Sequence, residues 1–527
     1  MFFSLPYIKE SKTISGIIQL PLLRYFMLGS SIKVFLFLLN ILLIHTVVYA
    51  QNSKIDEKKK YIEVRGQKKI IYDKKLGANR LLGGVTCTHQ EVVMTCDSAW
   101  LYDNNTIDAF GHVQVRQGDS IYIAADQLRY DGSVRVAVLQ GNVLCREKDM
   151  ILNTTQLNYD MKSSTASYFS GATIVNKENT LKSQAGNYHS PSKMLSFRKD
   201  VELKNPKYIM SCDTLRYNIQ NKTAFFIGPS TIVSDSNFIY TELGSYNTET
   251  ENCSLNKNTL IKSKNQILRG DSIFYNRNKR YGLARGNVSF TDTTGEGILK
   301  GKKAEYWERG ELSIISGNPE YFHFLKKDTL FITADTFYAW SDPNGKEKIL
   351  RAWYHCRFLK KEMQGKCDSI TYTTNDSSMI LHHKPILWNE ESQITAKEIK
   401  LITGKRQLKK FEISENAFIA SRKDSSSFDQ ISGKFIEGYF EKDSLREIRI
   451  KGNVQAIYFI EQKKKLFAMN KTTCNEMIMR NISGKKSEIS FLKKPDAAIY
   501  PVKDLKTDNK FLKGFNWLEK EKPFPNH

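Results

Sequence analysis

A chain of 527 residues that is 40% hydrophobic and 26% charged is neither disordered by composition nor membrane-embedded throughout. Its 79 Lys and Arg against 56 Asp and Glu leave a formal charge of +23, which points to an anionic partner: nucleic acid, an anionic lipid head group or an acidic polysaccharide. Frequent Tyr (25) and Phe (29) beside scarce Pro (12) favour strands over loops.

Residues 34–50 read VFLFLLNILLIHTVVYA behind Lys33, with small residues three and one places before Gln51. This pattern predicts a cleaved signal peptide over 1–50, with Met27 as a second candidate start and an uncleaved anchor as the alternative. On either alternative the rest of the chain is exported, which counts against nucleic acid. A basic lead-in is expected over 51–84. Residues 51–500 hold no second apolar run near 18 residues, so no helical membrane domain is predicted.

From there the chain repeats. Tyr130, Tyr159, Tyr188, Tyr217, Tyr246 and Tyr275 are each 29 residues apart. Two places before them stand Leu128, Leu157, Gly186, Leu215, Gly244 and Ile273. Four places before stand Asp126, Thr155, Gln184, Asp213, Glu242 and Asp271, each preceded by a small residue such as Ala125 or Cys212. The register reaches back to CDSAWL (96–101). It continues more loosely in GKKAEY (301–306), ADTFYA (334–339), CDSITY (367–372) and AKEIKL (396–401). About a dozen residues after each such element comes a second one, as in GHVQV (111–115), GNVLC (141–145), GPSTIV (228–233), GNVSF (286–290) and GNVQAIYF (452–459). Polar turn residues separate the two. Alternation inside each element is that of half-buried strands, and helical spacing is hard to find between 85 and 460.

A unit of this size cannot bury its apolar side alone, but it can by stacking on its neighbours. The predicted fold class is therefore all-β: an elongated, solenoid-like repeat stack over 85–460, with apolar columns forming one long trough. After 460 the pattern dissolves. Residues 461–527 are expected to be a Lys-rich, partly disordered segment, mobile at its end or ordered by a partner.

Candidate chemistry is thin. Asp126, Asp213, Asp271, Asp335 and Asp368 recur at one repeat position. Glycosidases use paired carboxylates roughly 5–10 Å apart, but such a pair would stand out from the repeat, and these are the repeat. They read as strand-entry residues that bond turn backbone N–H groups. RGDS (269–272) resembles an adhesion tripeptide, yet Gly270 and Asp271 are the ordinary small and acidic positions. GEGILKG (295–301) has no helix after it to hold a phosphate and reads as a long turn. Cys96, Cys212 and Cys367 occupy the small-residue column and read as buried small hydrophobes; Cys87–Cys96 and Cys356–Cys367 are the pairs near enough in sequence to close short disulfide loops. No C-x-x-C, HExxH or GxSxG is present, and His382-His383 fall in a turn. No catalytic residue, metal site or cofactor is predicted.

An exported β-stack with an apolar interior and a basic exterior suits a long amphiphile, acyl chains inside and anionic head groups at the rim. A stack with a closed core remains the alternative.

ADQLRYDGSVRVAVLQGNVLC (125–145) and GDSIFYNRNKRYGLARGNVSF (270–290) resemble the OstA/LptA family of lipopolysaccharide-transport proteins. The shared pattern is an A-D-x-apolar-x-Tyr strand, a short polar turn, and a strand with Gly-Asn-Val, over roughly 85–460. The resemblance implies a folded-over β-jellyroll, or β-taco, in the periplasm, without enzymatic activity. The implied partners are lipopolysaccharide or a related anionic amphiphile, and related jellyroll modules stacked head to tail, a homo-oligomer included. It also implies lining residues for the trough: Leu128, Tyr130, Leu157, Tyr159, Leu215, Tyr217, Ile273 and Tyr275. The chain departs from the family in its greater length and longer repeat, and it lacks a convincing outer-membrane barrel. The readings left beside it are a structural or adhesive surface solenoid and a carbohydrate-active solenoid enzyme.

Overall fold

The computed structural model describes residues 63–65 and 68–524 apart from short stretches at strand connections, the longest being 293–296, 342–347 and 374–377. The expected signal segment, with Met27 and Lys33, lies outside the described residues. Among the described residues every regular element is an antiparallel β-strand, except two 3-10 turns at Val502–Asp504 and Glu519–Glu521.

Strand Tyr208–Asn218 shows how the sequence builds the fold. Tyr208, Met210 and Cys212 alternate inward, the register slips between Cys212 and Thr214, and Leu215 and Tyr217 then take over as the inward residues. The slip is a β-bulge, which bends the strand and re-aims its side chains. The strands that alternate with strands of this kind carry a different corner. In Val136–Glu147, Gly141 and Asn142 both have positive φ (72° and 44°), and the register shifts between Gln140 and Val143. Gly tolerates that backbone freely and Asn better than most residues. Gly-Asn recurs there at 286–287, 317–318 and 452–453. Each long strand is thereby folded in half. Both halves feed one core: Cys87 and Met94 from one side of the corner pack in the same cluster as Leu128, Leu139 and Leu157 from the other. The half carrying the repeat tyrosines is called the tyrosine wall below, and the half across the fold the opposite wall.

The described residues divide into two compact units: those from 63 to 263 with 271–279, and 264–270 with those from 280 onward. In the first, folded strands run in antiparallel succession from Ala78–His89 to Cys253–Ser263. In the second the same succession runs from Tyr281–Asp292 to Lys465–Ile482, capped by the short strands Lys486–Leu492 and Asp496–Pro501.

The 29-residue repeat holds two folded strands, because the Gly-Asn corner sits in mid-strand. Two expectations change. The stack begins inside the expected lead-in, at Ala78–His89 with its corner at Gly83 and Gly84. It also continues past 460, and residues 509–524 pack along the second unit, because buried side chains of that unit bind their backbone. Of the GEGILKG run, residues 297–301 are the start of strand Gly297–Trp307, and the part before 297 lies outside the described residues.

Candidate functional site

The sequence-predicted residues within the first unit's ladder fall on two rows of the tyrosine wall. Along one, Leu128 faces Leu139, which faces Leu157; farther on, Phe197 faces Leu215. Along the other, tyrosines alternate with smaller partners: Tyr130 with Ala137, Tyr159 with Ala166, Tyr217 with Ala224. Large-beside-small alternation lets a ring lie over its neighbour. Leu128, Leu157, Leu215, Ile273 and Tyr275 are buried, and Tyr217 is 0% exposed with its hydroxyl 3.5 Å from that of Thr248. Tyr130 is half-buried and Tyr159 is 38% exposed. The rows therefore grade from partly open near 130–159 to closed near 217–275.

The facing row on the opposite wall did not figure among the expected lining residues. Ile123 faces Cys145, Cys145 faces Leu152, Leu152 faces Ile174, and the line continues through Leu181, Leu203 and Met210. Its signal is an apolar residue two places before each small residue, as in Ile123-x-Ala125 and Met210-x-Cys212. Desolvation pushes the Cys145 thiol up to about 11 and Cys212 up to about 12, so both are protonated hydrophobes at neutral pH.

Several of the repeat acids are corner clamps, which corrects the expected bond to turn backbone, whereas Asp213 accepts from the hydroxyl of Thr214 at 3.0 Å. Asp126 accepts from Nδ2 of Asn142 at 2.8 Å, Glu242 from Asn258 at 2.7 Å, and Asp97 and Asp335 pair with His112 and His355 at 2.7 and 2.8 Å. In each case the partner is the second positive-φ residue of the adjacent strand's corner. A hydrogen bond to Asp97, reinforced by its charge, raises the His112 imidazole above its usual value. A Cβ on Gly141 would overlap the Asp126 carboxylate, so the glycine gives the clamp its room. Asp126→Ala is expected to lower stability by at most about 1 kcal/mol, as befits an exposed polar bond; thermal denaturation measures it. A larger loss, or loss of a measured activity without loss of stability, would reopen a chemical role.

Turn backbone is bonded by a different residue, the one directly after each tyrosine. Asp131 accepts from the N–H of Ser133 at 2.9 Å, Asp160 from Lys162 at 2.8 Å, and Asn218 from Gln220 at 2.9 Å. These are Asx turns, and the Tyr-Asp/Asn dipeptide was their visible signal. The cysteines are all free thiols. Cys356 and Cys367 stand directly opposite each other, whereas Cys87 faces Met94 and Cys96 faces Val85. His383 is a positive-φ corner residue 3.6 Å from Asp368. Among the described residues no cluster of three potential metal ligands occurs.

A concavity of the first unit lies outside the wall rather than between the walls. It encloses about 1390 Å³ and runs across successive strands of the opposite wall, with Asn153, Lys182, Glu202 and Asp213 among its lining. In the second unit the outside of the opposite wall is covered. Gln364, Gln393 and Gln430 stand three places before the small residues Cys367, Ala396 and Gly433, so alternation turns them outward. All three are nevertheless buried. Gln430 donates to the carbonyl of Lys510 and accepts from the N–H of Leu512, both at 2.8 Å. Gln393 does the same with Asn516 and Leu518, also at 2.8 Å. Gln364 binds both backbone groups of Phe524, at 3.0 and 2.8 Å. Leu512, Phe515 and Trp517 then pack with Phe418, Ile457, Phe459 and Met469, and Arg422 pairs with Glu519 at 2.9 Å.

Compared with known proteins, residues 57–213 match the model of a family described as OstA-like protein. This segment belongs to the OstA-like family. It ends at the corner acid Asp213, but strands folded in the same way continue beyond it, through the rest of the first unit and through the second. Among solved structures, LptH of Pseudomonas aeruginosa aligns at 14% identity over 20% of this chain and 79% of that one, with a TM-score of 0.18. That protein is described as the LptA-homologous periplasmic component of the conserved lipopolysaccharide transport device. No curated protein matches. The fold assignment for the OstA-like segment and its continuation rests on the strand registers themselves.

Proposed function

We propose that the chain is a non-enzymatic periplasmic protein that binds the acyl chains of lipopolysaccharide, or of a related anionic amphiphile, between its walls and bridges it in outer-membrane assembly. Related jellyroll modules stacked end to end are its proposed neighbours. The OstA-like match supports the family context. The observation that carries lipid binding is the pair of apolar rows facing each other across the fold, with Tyr130 and Tyr159 partly exposed along one of them. An acyl chain enters there by displacing tyrosine contacts, and basic side chains outside meet its head group.

The burial of Tyr217 and Tyr275 favours a second reading, a structural stack with a closed core. Photo-crosslinking residues placed at Leu128, Tyr159 and Leu215 in cells separate the two. The lipid reading expects adducts with lipopolysaccharide, strongest at Tyr159. An exported, folded chain that never captures lipid at any of the three positions leaves the closed-core reading standing.

A further inference from the structure

We infer that the outside of the opposite wall in the first unit is a docking site for an acidic polypeptide segment of a partner. The cross-strand registers place one continuous outward row there. Arg116 faces Tyr122, Tyr122 faces Arg146, and Arg146 faces Ile151. Farther along, Lys204 faces Ile209, Ile209 faces Val233, and Phe238 faces Lys262. Ile209 and Val233 are 43% and 45% exposed, and the Arg116 guanidinium lies 5.5 Å from the Tyr122 ring. Between Arg116 and Lys262 the row holds four cations and no carboxylate, although Glu63 ends it beyond Val93 and Thr88, and Lys204 also meets Glu202 of the adjacent row at 3.0 Å. Two strands per repeat spaces them roughly 10 or 20 Å apart along the stack.

Tyr122, Ile151 and Ile209 stand three places before Ala125, Thr154 and Cys212, the place Gln364, Gln393 and Gln430 take in the second unit. There the row binds residues 510–524, a segment without strands that includes the 3-10 turn Glu519–Glu521, through its backbone and aromatic side chains. The first unit's row sets apolar side chains at the places of the amides, and cations where the second unit's row has Leu359, Trp388, Ala420 and Ile457. Its occupant is accordingly a polypeptide segment with carboxylates at intervals. The groove beside the row is lined by Asp200, Glu202 and Asp213 against Lys182, so the acidic segment is placed on the row itself, and the second unit's use of the same face for a polypeptide favours one here over a flat bilayer. The chain's own 509–524 segment, with four lysines against two glutamates, has the wrong charge for it.

The probe is a labelled peptide of residues 509–524 with Lys510, Lys513, Lys520 and Lys522 each replaced by Glu, titrated by fluorescence anisotropy into the intact chain. Expected is a Kd on the order of 10 µM at low salt, weakened at least tenfold by 0.5 M salt. Arg116→Glu/Arg146→Glu and, separately, Lys204→Glu/Lys262→Glu should each weaken it at least tenfold, with thermal denaturation reporting that the variants fold. Two results overturn the inference: peptide binding indifferent to both double variants, or no peptide binding while phosphatidylglycerol vesicles bind through the same cations. The experiment leaves the lipid reading untouched, since no inward residue is altered.

Discussion

Deleting residues 509–527 is expected to lower the unfolding midpoint of the second unit strongly while leaving the first unit's transition in place. The segment covers an apolar surface that includes Phe418, Phe428 and Ile457, and its loss also strips partners from buried amides. Gln430 is 0% exposed, and apart from a 3.2 Å bond to the carbonyl of Phe428 its amide is committed to residues 510 and 512. A buried polar group left without its partner costs roughly 1–3 kcal/mol. Gln430→Ala alone, which orphans a buried carbonyl and N–H at once, should therefore cost about 3 kcal/mol. Urea denaturation of the two variants measures both, and a Gln430→Ala change below about 1 kcal/mol would mean the segment is held by its aromatic residues alone. Acid should loosen the same contact. Hydrogen bonding to Arg422, then to Trp517, holds the Glu519 carboxyl below the usual range. A carboxyl depressed on folding stabilises fully above its unfolded value, about 4.3 for Glu, and that contribution disappears as pH falls through the folded value. Pepsin cleavage within 509–524 should therefore accelerate as pH drops below about 4.

Gly186→Leu, a change toward the residue that Leu128, Leu157 and Leu215 supply at the same repeat position, is expected to destabilise the first unit by about 1–3 kcal/mol. The ring of Tyr168 already fills that slot. A Cβ on Gly186 would sit 2.5 Å from its Cζ, and the ring is fixed by burial and by a 2.6 Å bond from its hydroxyl to that of Ser183. Gly244 is in the same position beneath Phe226, whose ring a Cβ would meet at 2.8 Å. The double variant Gly186→Leu/Tyr168→Ala should cost less than the two single changes summed, by 1 kcal/mol or more, as contacting residues couple. Strict additivity in the cycle would show that the ring and the slot do not compete.

The fold was legible in the sequence because its period is printed in tyrosines. Tyr130 to Tyr275 mark one row, and the residues two and five places earlier mark the apolar and small rows beside it. The fold in mid-strand was also visible as Gly141-Asn142 and its equivalents, although spacing alone could not tell a corner within a strand from a break between strands. What the sequence concealed depends on which residues stand opposite one another. Asp126 looks like a turn residue until the register sets Asn142 beside it. Gln364, Gln393 and Gln430 look like ordinary solvent-facing amides until residues 510–524 are seen to lie on them. Gly186 and Gly244 look like weak copies of a leucine until Tyr168 and Phe226 are found over them. Of the expected lining residues, Leu128, Leu157, Leu215 and Tyr217 share one inward face, but no periodicity foretold that Tyr159 would be exposed and Tyr217 closed.

The alternation of corner types along the stack imposes a rule of parity. A strand cornered by a small residue and an acid is clamped by neighbours cornered by two positive-φ residues, and successive strands run in opposite directions. Removing one folded strand would set like corner against like and reverse every strand after it; removing two restores both. This architecture can grow or shrink only in even steps, which is why its unit of length is 29 residues rather than half that.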